Sequence, residues 1–315
     1  MLPWRDLLGP PHESTRKLGI KLSASSQPVR SVFLPYSGIA LTLRQKRGDA
    51  LGGVIWDCGR ALVRVLDALW GRAHGLCVVT PIGYDRAQGR PLRILELGSG
   101  TGVVGIATAV LVTFLLRRSR PPRPHCQSKG QPQRGPSVEA TLTDIPALVP
   151  LVRRNVAMVR QQLACGTWCG SAPQLQRTPL PLPGSVSGGL RASTNAPALP
   201  TFNVRTLLWG KDSTATRMRC FRGHWDVVVC SDCLYDANAF PRLVGTLRRV
   251  AKPGTLVVLA CKRRNLASET GFWRSVESHG FDAFAPPRRL YPREFAADDV
   301  YIVFLSKCVL NVTRA

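Results

Sequence analysis

Three glycines follow the end of a short apolar segment in an arrangement suited to ligand binding. The segment Leu92–Leu97 predicts a buried strand, and Gly98, Gly100 and Gly102 alternate directly after it. Glycine lets the backbone turn sharply and come close to a ligand. The N–H groups at the start of the helix that follows can bind a polar or anionic group. The loop, which also contains Ser99, therefore suits a ligand that resembles a nucleotide.

The glycine spacing alone leaves the class of ligand open. Gly100, Gly102 and Gly105 match the GxGxxG fingerprint of dinucleotide-binding domains. That match begins two residues after Gly98, where the turn itself begins. The acidic Glu96, inside the end of the strand, is also unusual for a dinucleotide site.

Two further residues at strand ends could contact the same ligand. Asp144 follows the strand-like segment Val138–Thr143, and a carboxylate there can accept hydrogen bonds from both hydroxyls of a ribose. It could also cap a helix that begins at Pro146, and the two roles do not exclude each other. Trp209 closes the strand-like segment Phe202–Leu208, where it could stack on a purine or belong to the core.

A third strand end carries an acidic and a phenolic side chain. Asp232 and Tyr235 follow the apolar segment Trp225–Ser231 and are expected at the carboxyl edge of the sheet, where open α/β folds bind ligands. Together they could hold an amine, or they could simply cap a strand-to-helix turn. Cys230 and Cys233 form a CxxC pair, but no second pair follows at metal-ligand spacing, so we predict no metal site.

The segments that carry these residues alternate between strand and helix patterns. Besides a first strand at Val29–Pro35, the strand-like segments are Leu92–Leu97, Val138–Thr143, Phe202–Leu208, Trp225–Ser231, Gly254–Cys261, Phe281–Ala285 and Val300–Ser306. The helix-like segments are Gly53–Trp70, Val103–Leu116, Ile145–Leu163, Asn238–Val250 and Ala267–His279. This alternation predicts a doubly wound α/β sheet. The last two strands are expected to be joined by only a tight link, which predicts an antiparallel strand there.

The chain divides into one predicted domain and three irregular segments. Residues 1–28 are expected to form a mostly irregular tail, and residues 29–308 a single domain. Two insertions, at about 117–137 and 166–201, are rich in proline. The first is basic with almost no apolar residues, and the second has many Ser, Gly and Ala residues. Such composition cannot bury enough apolar surface to fold, so both insertions are predicted to be disordered.

Composition gives weaker indications about partners and location. Lys and Arg number 43 against 19 Asp and Glu, a net charge of +24, which leaves a nucleic-acid partner open. Solvated basic loops are the preferred explanation, because no acidic residue occurs between Asp144 and Asp212. Ten cysteines could form disulfides, but Cys230, Cys233 and Cys261 lie in or beside apolar runs that predict buried strands. Together with the absence of a recognisable secretory signal, this predicts a reducing compartment, the cytoplasm or also the nucleus. The longest apolar run, Val103–Leu116, is too short for a membrane span of about 20 residues.

Five short motifs occur in one order that resembles a known family. They are Trp56-Asp57, Glu96-x-Gly-x-Gly-x-Gly, Thr143-Asp144-x-Pro146, Leu208-Trp209-Gly210 and Asp232-x-x-Tyr235. Together they resemble methyltransferase family 16. This is the branch of seven-strand S-adenosylmethionine-dependent enzymes that contains the methyltransferase-like 21 group of protein-lysine methyltransferases.

The resemblance implies a Rossmann-like α/β fold with strand order 3-2-1-4-5-7-6, strand 7 antiparallel and helices on both faces. It implies that S-adenosylmethionine is the cofactor, S-adenosylhomocysteine the product, and Asp232 with Tyr235 the methyl-acceptor site. The expected cofactor-binding residues are Trp56, Glu96, Gly98, Ser99, Gly100, Gly102, Asp144, Trp209 and Ser231. The expected substrate is a lysine of another protein, such as a translation factor or a chaperone, and the chain is expected to be a monomer.

Other functions compatible with the motifs are methylation of RNA or of a small molecule, and binding of the cofactor by a non-catalytic adaptor. The chain lacks a tetrapeptide similar to the Asn-Pro-Pro-Tyr of nucleic-acid amino-methyltransferases, which disfavours the first. The sequence departs from the family in its two insertions. It also departs at Arg153-Arg154-Asn155, where acidic residues are common.

Overall fold

The computed structural model describes residues 2–3, 27–48, 51–72, 90–118, 137–166, 199–210, 221, 223–296 and 299–307. Within these ranges one eight-stranded sheet forms the centre of the fold, and a separate two-stranded sheet lies beside it. The strands of the large sheet are β1 (Leu2–Pro3), β4 (Leu92–Leu97), β5 (Val138–Asp144), β6 (Thr201–Thr206), β7 (Val227–Ser231), β8 (Leu256–Lys262), β9 (Phe281–Ala285) and β10 (Val300–Lys307). The small sheet consists of β2 (Val29–Leu34) and β3 (Ile39–Arg44).

The large sheet has the order β1-β9-β10-β8-β7-β4-β5-β6. If β4 is counted as the first strand, the seven strands after β3 follow the predicted order 3-2-1-4-5-7-6. Strand β10 is antiparallel to both of its neighbours, β8 and β9, whereas β4, β5, β6, β7 and β8 are parallel. The predicted fold class is therefore confirmed.

Helices cover both faces of the sheet, which explains why its central strands are apolar on both sides. They are α1 (Asp57–Arg72), α2 (Val103–Arg118), α3 (Val149–Ala164), α4 (Phe240–Val250), α5 (Leu266–Ser278) and the short α6 (Arg293–Ala296). One buried cluster contains residues of α1, α2 and α3 with one face of the sheet, and a second contains residues of α4 and α5 with the other face. Among the described residues, no helix combines the length and hydropathy that a bilayer span requires.

The β2–β3 hairpin was only half predicted, since Val29–Pro35 was expected to be a lone first strand. Two amide side chains of α3, two helical turns apart, bind the backbone of β3. Asn155 Oδ1 accepts from Arg44 N at 2.8 Å while its Nδ2 donates to Arg44 O at 3.0 Å. Gln162 binds the N–H and C=O of Thr42 in the same way, at 3.1 and 2.9 Å. These side chains satisfy backbone groups on the open edge of β3.

The predicted start of the helix after β5 is wrong. Helix α3 begins at Val149 with Pro150 in its first turn. The chain first bends after Asp144, and Pro146 therefore lies in the turn that precedes the helix. Within the segment expected to be a tail, Leu2–Pro3 pairs with β9.

The two predicted insertions lie mostly outside the described residues. Their described ends belong to regular elements: α2 continues to Arg118, and β6 begins at Thr201. The link between β9 and β10 is longer than the tight link that was predicted, because it contains a 3₁₀ turn, Arg288–Leu290, and α6.

Candidate active site

A cavity of about 750 Å³ opens at the carboxyl ends of β4, β5 and β7. Its volume lies within the range of small-molecule and cofactor sites. Ten of the eleven predicted site residues line it: Trp56, Glu96, Gly98, Ser99, Gly100, Asp144, Trp209, Ser231, Asp232 and Tyr235. Parallel strands place their carboxyl ends at one edge of a sheet, and this brings together residues that are far apart in the sequence.

Gly98 and Gly100 let the loop after β4 pass close to other backbone and side-chain atoms. Both have positive φ, 67° and 55°. A methyl group on Gly98 would lie 2.9 Å from Cys233 Sγ and 3.0 Å from the Trp209 ring, and one on Gly100 would lie 2.6 Å from the Gly52 carbonyl oxygen. Both positions therefore require glycine for conformation and for space.

Gly102 is the predicted site residue that does not line the cavity. Its φ is 82°, and a methyl group there would lie 3.1–3.2 Å from the side chains of Leu142, Ile106 and Val152. Its carbonyl accepts the hydrogen bond from Ile106 N at 3.0 Å that starts α2. The structure gives Gly102 a role in packing and in starting the helix, because the chain has already turned into the core at this residue.

Glu96 places a carboxyl group in the buried wall of the cavity. Burial raises its pKa to about 8, although the N–H of Gly105 and the hydroxyl of Ser99 oppose this effect. A methyl group on Gly105 would lie 2.5 Å from Glu96 Oε2, so Gly105 provides the room for the carboxyl group. The third glycine of the GxGxxG match therefore serves Glu96.

Asp144 connects the end of β5 to the glycine loop. Its Oδ2 accepts from Gly100 N at 2.6 Å and its Oδ1 from Ile145 N at 2.7 Å. Burial raises its pKa, and these two hydrogen bonds act in the opposite direction. The helix that Asp144 could have capped begins only at Val149, and the side chain holds the glycine loop.

Two tryptophans supply apolar surface to the cavity. Trp56 is 38% exposed and its Nε1 donates to Leu51 O at 2.9 Å, which holds the 3₁₀ turn Leu51–Gly53 beside the glycine loop. Trp209 is half-buried against the second core cluster, so it contributes both to the core and to the cavity wall. The two interpretations considered for Trp209 are therefore compatible.

Asp232 and Tyr235 lie together at the end of β7. Asp232 has a φ of 55°, and it is the non-glycine residue with positive φ within the described ranges. Backbone strain of this kind is common at functional sites. Its N–H donates to Ala260 O at 2.8 Å, which fixes the turn.

Tyr235 is 55% exposed at the mouth of the cavity. Its pKa is raised by burial and then by electrostatic interactions with Cys233, Asp144, Asp236 and Asp232. The phenol is therefore neutral near physiological pH and can donate or accept a hydrogen bond.

Sequence reasoning missed several lining residues, of which two are charged. Arg264 Nη1 donates to Asp232 Oδ1 at 2.8 Å. Arg242 of α4 lies against Gly210, where a methyl group would be 2.8 Å from its Cγ. Arg264 follows β8, which is parallel to β7, so the same rule that identified Asp232 could have identified it. Arg242 gave no such signal, because it lies inside a helix. The missed uncharged residues are Leu51, Gly52, Val54, Gly59, Thr101, Val103, Val104, Ile145, Leu148, Leu207, Leu208, Cys233 and Ala239.

The residues of the cavity fit S-adenosylmethionine. Glu96 Oε2 is buried and, in the part of the chain that the structure describes, has no hydrogen-bond partner, so a cationic ligand would favour the ionised form of this carboxyl group. Asp144 retains lone pairs for ribose hydroxyls. Among the same described residues, no group of three or more His, Cys, Asp or Glu side chains is arranged to hold a metal ion.

Comparisons with known proteins find relatives over the whole cavity region. A family model described as lysine methyltransferase matches residues 36–168 and 193–279, ranges that contain every lining residue. EEF1A lysine methyltransferase 3 of Mus musculus is 25% identical over 90% of this chain and 81% of its own length. Protein N-lysine methyltransferase METTL21A of Danio rerio is 24% identical over 64% of this chain, which spans 62% of that relative. A solved 16S rRNA methyltransferase of T. thermophilus is 14% identical, with 90% of this chain and 51% of that chain covered and a TM-score of 0.43.

Proposed function

This chain belongs to the lysine methyltransferase family, and we propose that it transfers a methyl group from S-adenosylmethionine to a lysine Nε of another protein. The cofactor supplies an electrophilic methyl group when bound. We assign its binding to Trp56, Glu96, the loop Gly98–Gly100, Asp144, Trp209 and Ser231, which line the cavity. Gly102 supports the loop from outside the cavity.

The observation that carries the proposal is the position of Asp232 and Tyr235 on the cavity wall. A lysine amine has a reference pKa of about 10.4 and must lose a proton before it can act as a nucleophile. Asp232 can accept a hydrogen bond from the amine and so orient it, and Tyr235 can bind or pack against it. Alignment of the reacting groups can contribute about 7–11 kcal/mol to the lowering of the barrier. We therefore assign to both residues orientation of the acceptor.

The family model and the two relatives named as lysine methyltransferases support a lysine acceptor over a nucleic-acid acceptor. Transfer to RNA with a steep salt dependence would contradict this preference.

Asp232→Asn tests the proposal, with Asp236→Asn as the matched control. Asp236 is exposed and caps the 3₁₀ turn after it, with its Oδ1 accepting from Asn238 N at 3.0 Å. A hydrogen bond to a charged group contributes about 1.5–3 kcal/mol, so Asp232→Asn should lower the rate of methylation by roughly 10- to 100-fold. Calorimetry with S-adenosylhomocysteine should show binding within about threefold of the parent for both variants.

The measurement uses radiolabelled S-adenosylmethionine, the proteome of cells that lack the enzyme, and mass spectrometry to locate the modified residue. Undiminished labelling by Asp232→Asn would reject the assigned role of Asp232. Cofactor binding by the parent with no labelled protein would instead identify a non-catalytic adaptor. Label on RNA or on a small molecule would identify a methyltransferase for that class of substrate.

The more specific expectations remain predictions. The name of the mouse relative suggests EEF1A as the first protein to test. We also propose that the enzyme is a cytoplasmic monomer. The unpaired thiols of Cys58, Cys165, Cys230, Cys233 and Cys261 among the described residues are compatible with a reducing compartment.

A further inference from the structure

Arg264 forms an ion pair with Asp232 inside the cavity. The distance between Arg264 Nη1 and Asp232 Oδ1 is 2.8 Å, and the two side chains are 36% and 9% exposed. Burial lowers the pKa of Arg264, but its hydrogen bond and charge interaction with Asp232 outweigh this and raise the pKa above its ordinary value. The guanidinium group therefore stays charged at the point where an acceptor amine would arrive.

A buried network holds the backbone of Arg264 in this position. Glu269 Oε1 accepts from Arg264 N at 2.6 Å and from Asn265 N at 3.0 Å. Its Oε2 accepts from the hydroxyl of Tyr301 at 2.7 Å, and Glu269 itself is 1% exposed. Asn265 also caps α5, because its Oδ1 accepts from Ser268 N at 3.1 Å. The placement of Arg264 is thus fixed by the fold.

We propose that Arg264 is a positioning residue that keeps Asp232 in place as a hydrogen-bond acceptor and whose positive charge disfavours the protonated form of the substrate lysine. This inference rests on the proposed function. Asp232 alone would stabilise the unreactive ammonium form. With Arg264 beside it, the ammonium group gives its proton to solvent more readily. The lone pair of Nε then forms the new N–C bond as the S–C bond of the methyl donor breaks.

Other titratable groups surround this pair. Cys58 on α1, Cys261 on β8 and Tyr235 after β7 interact electrostatically with Asp232, and Glu269 on α5 binds the backbone of Arg264. The others line the same cavity: Glu96, Asp144, Cys233 and Arg242. Burial first, then the negative charge of Asp232, raises the pKa of the Cys58 thiol well above its ordinary value. Burial does the same for Cys261. Glu96, with a pKa of about 8, titrates in the range of interest, but it is present in parent and variants alike.

The test compares the pH dependence of methylation by Arg264→Met, Arg264→Lys and the parent between pH 7 and 10.5. The probe is the proteome of cells that lack the enzyme, with radiolabelled S-adenosylmethionine at saturating concentration. A unit charge about 6 Å from an amine shifts its pKa by about one to two units at an effective dielectric constant of about 20–40. The rising limb of the Arg264→Met profile should therefore move up by about one to two pH units. Its rate should fall roughly 10- to 100-fold near pH 7.5 and recover near pH 9.5.

Arg264→Lys keeps the positive charge and should keep the pH dependence of the parent. Arg274→Met removes an exposed arginine of α5 that does not line the cavity, and it should change neither rate nor profile. An Arg264→Met profile that is unshifted, or lowered equally at every pH, overturns the inference. So does loss of S-adenosylhomocysteine binding by Arg264→Met. An Arg264→Lys profile that matches the Arg264→Met profile also overturns it. A parent enzyme that labels no lysine at any pH would instead refute the proposed function.

Discussion

Replacing Gly100 with alanine would place a methyl group 2.6 Å from the carbonyl oxygen of Gly52. The φ of Gly100 is 55°, a conformation that costs a residue with a Cβ about 1–2 kcal/mol. The neighbouring atom belongs to the backbone of the turn that Trp56 holds, so neither partner can move away freely. Overpacking of this kind costs about 1–3 kcal/mol more.

Gly38→Ala separates these two costs. Gly38 lies in the β2–β3 hairpin with a φ of 72°, and a methyl group there would have no atom within 4 Å. Both variants carry the conformational cost, but only Gly100→Ala carries the clash. We expect Gly100→Ala to be less stable than Gly38→Ala by about 1–3 kcal/mol, or roughly 2–4 °C of Tm for each kcal/mol in a domain of this size.

Urea denaturation followed by circular dichroism measures the stability difference, and calorimetry with S-adenosylhomocysteine measures the effect on the site. Because Gly100 N donates to Asp144 Oδ2, a displaced loop should weaken binding at least about tenfold, which corresponds to about 1.4 kcal/mol. Gly38→Ala should bind like the parent. Equal stability and equal affinity of the two variants would refute the close contact between the glycine loop and Gly52.

Two other substitutions test the buried polar groups. Glu96 has a pKa of about 8 in the folded protein against an ordinary value of 4.5. It therefore binds more protons in the folded state, and stability should fall as pH rises between these values, by about 1.4 kcal/mol per pH unit. Glu96→Gln should abolish this loss in urea titrations yet bind S-adenosylmethionine more weakly; a parent with constant stability over this range would contradict the assignment. Asn155→Ala removes three hydrogen bonds, to Arg44 N, Arg44 O and Thr101 O, at a cost of about 2–4 kcal/mol and with weaker cofactor binding. Gln162→Ala should leave that affinity intact, and equal effects of the two would show that Asn155 does not support the glycine loop.

The parts of the site that could be predicted from sequence are those carried by single strand ends. Glu96, Asp144 and Asp232 each lie at the end of an apolar segment or directly after it, and the carboxyl ends of parallel strands meet at one edge of the sheet. The order of the strands came from the resemblance, because periodicity alone predicts alternation of elements without their neighbours. A charged residue such as Arg264 could have been found by the same rule applied to β8.

The remaining features depend on contacts between segments that sequence patterns do not connect. Asn155 looked like a departure from the family, yet it joins α3 to β3 and to Thr101 across more than 50 positions of sequence. Gly105 looked like part of a dinucleotide fingerprint, because the spacing of glycines does not reveal what each one approaches. Gly102 looked like a ligand contact, although its neighbours are core side chains.

The carboxyl groups of Glu96 and Asp232 differ in their state before the two positively charged reactants bind. These reactants are the methyl donor and the ammonium group of the lysine. Glu96 has a pKa of about 8 and is mostly neutral at physiological pH, so its ionisation is coupled to the arrival of a cationic donor. Asp232 already has Arg264 as a partner, and it therefore gains less from an ammonium group than an unpaired carboxylate would. The difference suits the reaction, since the donor must keep its positive charge until transfer, whereas the acceptor must lose its charge first. If Arg264→Met moves the profile of methylation to higher pH while Glu96→Gln changes only the affinity for the donor, the two carboxyl groups act on separate reactants. A shifted methylation profile in Glu96→Gln at saturating donor would show that they act on the same one.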